Sequence, residues 1–248
     1  MRVRQAANVL DLFEYFGSRK RPATLAEISE DLGWPRSSTF NILDTLTQRG
    51  YLFIAEGRFG YYPTEKWLVE SRGISEAMPV PDFIRKAIQQ LAEETGETAY
   101  LAAPAGLQAV LIYVVESKET IRYSAYVGKL LPIHTSAVGR AILSQFPKQA
   151  IETTLAKVEY VQYQPNSLMS REAVLEDIER SEKRGWFESN TQFTPYVQGL
   201  AVKLPVLGRQ LAIAIGGPTF RIESRIRSIG ELASEKARQL IQHASAAN

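Results

Sequence analysis

The sequence predicts an α+β protein built in two parts. Three observations carry this. Short helical segments crowd the first third, and β-branched and aromatic runs become frequent only after Thr98. Between them stands Met78-Pro-Val-Pro-Asp82, whose two prolines disfavour helix and stiffen the chain as a linker would. A length of 248 residues allows one large domain or two small ones, and the expected boundary falls near residues 64–82.

The first part reads element by element. Val9, Leu10, Leu12, Phe13 and Phe16 recur at helical spacing in a segment expected to end at Gly17. A basic turn follows, Arg19-Lys20-Arg21-Pro22. Thr24, with Glu27 three residues on, meets the capping-box pattern for a second helix striped by Leu25, Ile28 and Leu32. Gly33-Trp34 breaks it. Pro35 is expected as the first residue of a third helix, which runs to about Arg49 before Gly50. Tyr51–Ala55 and Phe59–Pro63 then flank Glu56-Gly-Arg58 as a hairpin. Helix, helix, tight turn, helix and hairpin make a winged helix-turn-helix.

The third helix has two faces. Thr39, Ile42, Leu43 and Leu46 share one stripe and are expected to be buried. Ser37, Asn41 and Asp44 point away, with Ser38 and Phe40 on the flanks and Arg36 in the first turn. Such helices present N-terminal residues to major-groove base edges. Asn41 suits a bidentate contact with adenine, and Phe40 suits a thymine methyl. Thr24 and the start of its helix suit a phosphate. Net charge decides nothing, since residues 1–66 hold nine basic and eight acidic side chains. Placement favours DNA: Arg2, Arg4, Arg19, Lys20, Arg21, Arg36 and Arg58 lie at the first helix start, the turns and the wing tip. A solvated helix face or a protein-docking module stays open as the alternative.

In the second part, Asp82 to Thr95 reads as an amphipathic helix stopped by Gly96. Strands are expected at Thr98–Ala103, Gln108–Glu116 and Ile121–Val127. A helix then starts near Thr135 or Ser136 and reaches Leu143. Another runs from Arg171 to Arg184 before Gly185. Strands follow at Trp186–Asn190, Gly199–Leu207 and Leu211–Gly216, and a last helix spans Ser224 to Ala244.

Chemistry is narrowed by what is missing from the sequence. Hydrophobic residues at 45% and charged residues at 23% describe a folded chain, which excludes wholesale disorder. A net charge of +2 excludes a polycationic coat, so a nucleic-acid site must be a local patch. Zero cysteines remove disulfides, thiol nucleophiles and thiolate metal sites. Only His134 and His243 are available as imidazoles, and His134 reads as a packed or capping histidine. There is no Walker-type loop, nucleophile elbow or H-E-x-x-H. Glu93-Glu94, Glu116 and Glu119 read as solvated faces. No catalytic residue, metal or cofactor is expected. The start is not a signal peptide, because Asp11 and Glu14 break it. Thr98 to Val115 is interrupted by Pro104, Gly106 and Gln108, so no membrane span is expected and a cytoplasmic location is. One small-molecule site is suggested: the N–H groups of Thr135, Ser136, Ala137 and Val138 open a helix, near Tyr100, Tyr113 and Tyr123. An ordinary N-cap without a ligand is the equal alternative.

With these residues stated, the chain resembles the IclR family of bacterial transcriptional regulators over nearly its full length. The N-terminal likeness lies in Pro35-Arg-Ser-Ser, Leu46-Thr-Gln-Arg-Gly-Tyr-Leu52 and Tyr61-Tyr-Pro. The more specific part is Val127-Gly-Lys-Leu-Leu-Pro-Ile-His-Thr-Ser-Ala-Val-Gly-Arg-Ala-Ile-Leu143, with Lys183-Arg-Gly-Trp186 and Gly199-Leu-Ala-Val-Lys-Leu-Pro-Val206. The resemblance implies a winged helix-turn-helix over residues 1–63, a linker helix over 64–81 and a GAF-like effector domain over 82–248. It implies a dimer or tetramer on double-stranded operator DNA, controlled by a small organic or aromatic acid and serving catabolic genes. The family's habit favours a repressor over an activator.

On these grounds the DNA contacts are expected at Arg19, Lys20, Thr24, Arg36, Ser37, Ser38, Phe40, Asn41 and Arg58. Effector contacts are expected at Tyr123, Leu130, Ser136, Ala137, Val138, Ser189 and Gly199. Two departures from relatives bear on the ligand. Glu188-Ser-Asn-Thr-Gln192 replaces an acidic run, and Gly199 stands where relatives often carry cysteine or serine. The first removes negative charge and should ease binding of an anion, the second enlarges the pocket, and together they suggest a bulkier effector, such as an aromatic or sugar-derived acid. The competing reading is a GAF-like enzyme or adaptor that uses the winged helix for docking.

Overall fold

Apolar residues one turn apart set the first helix, α1 (Arg4–Arg19), which buries Leu12 and Phe16. It runs through Gly17, where a side chain would meet only open space, and ends when Lys20 turns left-handed at φ 56°. The expected stop at Gly17 is therefore three residues early. The computed structural model describes residues 3–55 and 60–246 and divides the chain into two units, Met1–Pro79 and Val80–Asn248.

In the first unit Thr24 caps α2 (Leu25–Asp31) with the full reciprocal capping box. Pro35 is the N-cap of α3 (Arg36–Gln48) rather than its first residue, because its ψ of 135° is still extended. Strands β1 (Leu52–Ala55) and β2 (Gly60–Pro63) pair antiparallel, and Ala23 bridges to Tyr61 beside them. Glu56-Gly-Arg58, the expected wing tip, lies outside the described residues. Leu12, Phe16, Ile28, Leu43, Leu46 and Leu52 form the core of this unit. Helix α4 (Lys66–Ala77) buries none of its side chains fully, and its Trp67 ring packs 4.5 Å from Phe13 and 4.8 Å from Tyr51.

The second unit begins with α5 (Asp82–Thr95), closed by Gly96 at φ 72°. Its strands are β3 (Thr98–Ala105), β4 (Gln108–Val115), β5 (Leu130–Pro132), β6 (Phe187–Asn190), β7 (Val197–Val206) and β8 (Arg209–Pro218). They form one antiparallel sheet in the order β5-β4-β3-β8-β7-β6. Period-two alternation gives the sheet two unlike faces. Leu101, Leu200, Val202, Ile213 and Ile215 pack with α5 and with α10 (Ile226–Ala246). Tyr100, Ala102, Ala201, Ala212 and Ala214 lie on the other face, which packs with α6 (Ala137–Leu143). Alanines there let α6 sit close to the sheet.

The expected strand over Ile121–Val127 does not form. Its backbone is held by side chains instead: Thr98 Oγ1 donates to the Tyr123 carbonyl at 2.7 Å, and Ala125 N–H donates to the Glu116 carboxylate at 3.2 Å. Polar groups satisfied this way need no ladder. Helix α7 (Lys148–Leu155) and the short α9 (Thr219–Ile222) were not anticipated, whereas α8 (Arg171–Arg184) matches its expected bounds.

Candidate functional site

Burial of Thr39, Leu43 and Leu46 fixes how α3 is turned, and that orientation leaves Arg36, Ser37, Ser38, Phe40 and Asn41 exposed together. Ile42, expected in the buried stripe, is only half-buried. Phe40 is 50% exposed beside the polar Ser37, Ser38 and Asn41. Lys20 is exposed at the end of α1.

Two of the expected phosphate contacts are occupied within the fold. The Arg19 side chain is mostly buried; it pairs with the Glu27 carboxylate and lies 3.1 Å from Asp31. Tyr15 shares this network, donating to Asp31 at 2.8 Å. Arg19 therefore joins α1 to α2 rather than facing a phosphate. The Thr24 hydroxyl is likewise used, accepting from Glu27 N–H at 3.2 Å and donating to its carboxylate at 3.0 Å. These contacts hold the Glu27 carboxyl down to about 2, first through the Thr24 backbone N–H and then through Arg19. Arg58 lies outside the described residues.

In the second unit, Tyr123, Ser136, Ala137, Ser189 and Gly199 line one cavity with Tyr100, Leu131, Phe193, Thr194, Val197 and Gly216. Ser136 caps α6, its Oγ accepting from Gly139 N–H at 3.0 Å. Leu130 and Val138 are not part of the lining. Leu130 is half exposed while its neighbour Leu131 turns inward, the strand alternation placing adjacent residues on opposite faces. Val138, buried like every residue of α6, packs in the apolar core and does not reach the cavity. Tyr113 packs with the opposite face of the sheet. Phe193 and Thr194 were missed because they sit on an irregular loop between Thr191 and Tyr196, both at positive φ (51° and 59°). No sequence pattern marks that geometry.

The expected enlargement by Gly199 is not seen. The cavity measures about 30 Å³, room for about two water molecules. A methyl at residue 199 would meet nothing closer than 3.9 Å, so the missing side chain does leave space locally. The Tyr123 ring fills the neighbouring volume, 2.9 Å from where a side chain on Gly216 would begin. Burial raises the Tyr123 hydroxyl to about 12 and Tyr100 well above its ordinary value, so both stay protonated donors. The lining holds aromatic rings and the hydroxyls of Ser136, Ser189 and Thr194, with no charged side chain. The lining offers apolar contact and a few hydroxyl groups, but at about 30 Å³ the cavity is closed to anything much larger than water in this arrangement.

Behind this wall, the fully buried Arg140 ties three segments together. Its Nε lies 2.6 Å from Asp177 on α8; its guanidinium also donates to the His134 carbonyl at 3.1 Å and to the Glu188 carbonyl on β6. His134 is 3% exposed and packs edge-on against Tyr160 at 5.3 Å. Burial, with the Arg140 charge adding to it, lowers its imidazole to about 4. No cluster of three metal-ligating side chains, and no helix long and apolar enough to cross a membrane, occurs among the described residues.

Comparison with known proteins places this architecture. Residues 74–242 match the model of the bacterial transcriptional regulator IclR C-terminal domain, and residues 5–52 match the IclR helix-turn-helix domain. The transcriptional repressor IclR of Escherichia coli is 26% identical, over 93% of this chain and 86% of that one. The crystal structure of Thermotoga maritima IclR superposes with a TM-score of 0.74 at 20% identity, covering 90% of this chain and 92% of that one. An IclR homologue from Microbacterium hydrocarbonoxydans, solved in complex with 4-hydroxybenzoate, gives a TM-score of 0.73 at 18% identity, covering 98% and 99%.

Proposed function

The chain belongs to the IclR family of bacterial transcriptional regulators, and from that premise we propose that it is a repressor of catabolic genes that reads operator DNA with α3. The observation that carries the reading is the common exposure of Arg36, Ser37, Ser38, Phe40 and Asn41 on a helix whose opposite side is locked in a core. These five residues specify bases, while Lys20 and Arg58 hold phosphates. Residues 1–63 form the DNA-binding part, 64–81 the linker and 82–248 the sensor. The protein acts in the cytoplasm as a dimer or tetramer, with no chemistry of its own.

The effector is a small organic or aromatic acid seated among Tyr100, Tyr123, Ser136, Ser189 and Gly199. Support comes from the aromatic and hydroxyl lining and from a neighbour in fold that holds 4-hydroxybenzoate. A cavity of about 30 Å³ must open for a ring to enter, and Tyr123 and Phe193 are the groups that have to move.

The test is fluorescence anisotropy of the full chain on a duplex from upstream of its own gene, beside a scrambled duplex of equal length. A preference of about a thousandfold or more, lost in part in Asn41→Ala, supports the reading; equal binding of both by a chain that also selects no other sequence contradicts it. Calorimetry with 4-hydroxybenzoate and with a two-carbon acid tests the effector. Saturable binding of neither, with DNA binding intact, contradicts a sensing role.

A further inference from the structure

Residues 116–129 join β4 to β5 as an irregular strap that carries Tyr123 into the cavity of the second unit. A few side chains hold the strap down. Thr98 Oγ1 donates to the Tyr123 carbonyl at 2.7 Å, Arg221 to the Ile121 carbonyl at 2.9 Å, and Lys129 Nζ to the Ser124 carbonyl at 3.0 Å. The Lys129 ammonium also lies 4.4 Å from the centre of the Tyr123 ring, inside the ~6 Å at which a cation is drawn to a ring face. Leu131, two residues further on, lines the cavity. Among the described residues Lys129 is half-buried and makes no ion pair, while neighbouring cations are engaged, Arg122 with Glu116 at 3.7 Å and Arg221 with Glu97. Burial holds the Lys129 ammonium below the ordinary lysine pKa.

The cavity has the opposite need. A carboxylate inside it would meet no charged side chain. Two of its hydroxyls already donate within the fold, Ser136 Oγ to the Pro132 carbonyl at 2.6 Å and Ser189 Oγ to the Thr135 carbonyl at 3.3 Å. An anion buried without a cation is costly. We propose that Lys129 is the counter-ion of the effector's carboxylate, and that the same side chain latches the Tyr123 strap until an acid arrives. This rests on the sensing role proposed above. The carboxylate draws the ammonium away from the Ser124 carbonyl and the Tyr123 ring, because a charged acceptor binds it more strongly than a neutral one. The strap then loses an anchor, Tyr123 swings aside, and the closed cavity opens to the ring that follows. A neutral compound of the same shape leaves the latch in place. Selectivity for acids thus resides in a residue outside the lining of the closed cavity.

The test is calorimetry of the full chain with 4-hydroxybenzoate and with 4-hydroxybenzamide, which is neutral and of nearly the same shape. Wild type is compared with Lys129→Met, which keeps the apolar stem without the charge, and with Lys129→Arg, which keeps a cation over the ring. Thermal melts check that both variants fold. Wild type should prefer the acid by about tenfold or more, and Lys129→Arg should retain most of that preference. Lys129→Met should bind the two compounds alike, by weaker binding of the acid and tighter binding of the amide. Hydrogen exchange without any effector reads the latch by itself: amides of residues 121–127 should exchange faster in Lys129→Met than in wild type. An acid preference unchanged in Lys129→Met, or unchanged exchange of the strap, overturns the proposal and leaves the sensing role standing. A wild type that binds acid and amide equally overturns it too. Binding of neither compound, with DNA binding intact, contradicts the sensing role itself, and the Lys129 assignment falls with it.

Discussion

Arg19 shows how one residue can be read correctly as basic and incorrectly as free. Its position in a basic turn suggested a phosphate contact, but Glu27 and Asp31 on the next helix already hold its guanidinium. Sequence spacing gives no sign of that, because the pairing depends on the angle between two helices. Arg19→Ala is expected to lower the stability of the helix-turn-helix by about 1 kcal/mol, seen as an earlier urea midpoint, and to leave the salt slope of DNA binding unchanged. Asn41 and its neighbours were legible because helical periodicity alone separates them from Thr39, Leu43 and Leu46. His134 was read as a packed histidine, and its burial gives it a pH signature. The unfolded imidazole protonates near 6.5 and the folded one near 4, so the unfolded chain binds the proton first as pH falls. Stability is full above about 6.5 and declines toward pH 4, by up to about 3 kcal/mol at roughly 1.4 kcal/mol per pH unit. Thermal melts of wild type and His134→Phe across that window check this, the wild type showing the steeper decline.

Among elements, helices with caps and strands with long alternating runs were legible. The Thr24 capping box and the Gly96 and Gly185 helix ends fall where the residues put them. Segment 121–127 misled because Ile121, Tyr123 and Val127 look β-forming, while its backbone is held by the side chains of Thr98 and Glu116 rather than by a neighbouring strand. Helix α6 is the element on which the cavity depends. A side chain on its Gly139 would begin 2.6 Å from the Ile133 Cα and carbonyl oxygen, both backbone atoms that cannot swing aside. Gly139→Ala is therefore expected to push α6 away from the turn at Ile133 that precedes it, destabilising the second unit by about 1–3 kcal/mol and weakening effector binding in calorimetry. Gly199→Ala, with 3.9 Å of clearance, should fold like wild type.

At the scale of the whole molecule, the order of helices, hairpin, helix and sheet was legible, since each part carries its own periodicity. The volume of the cavity was not. It follows from how Tyr100, Tyr123 and Phe193 fill the space beside Gly199, which composition at one position cannot give. The proposed DNA face and effector cavity lie in different units, so the proposed control takes the form of linkage. Whatever factor an effector imposes on DNA affinity, saturating operator imposes on effector affinity. Paired calorimetric titrations of 4-hydroxybenzoate, with and without operator duplex, should return that same factor. The central claim, that α3 makes this chain a sequence-specific regulator, is tested most directly by selecting bound duplexes from a random library with wild type and Asn41→Ala. The account predicts an enriched inverted repeat with half-sites about 34 Å apart, or a multiple of it, and loss of preference at one base pair per half-site in the variant. A wild-type selection that enriches no sequence over the starting library would contradict it.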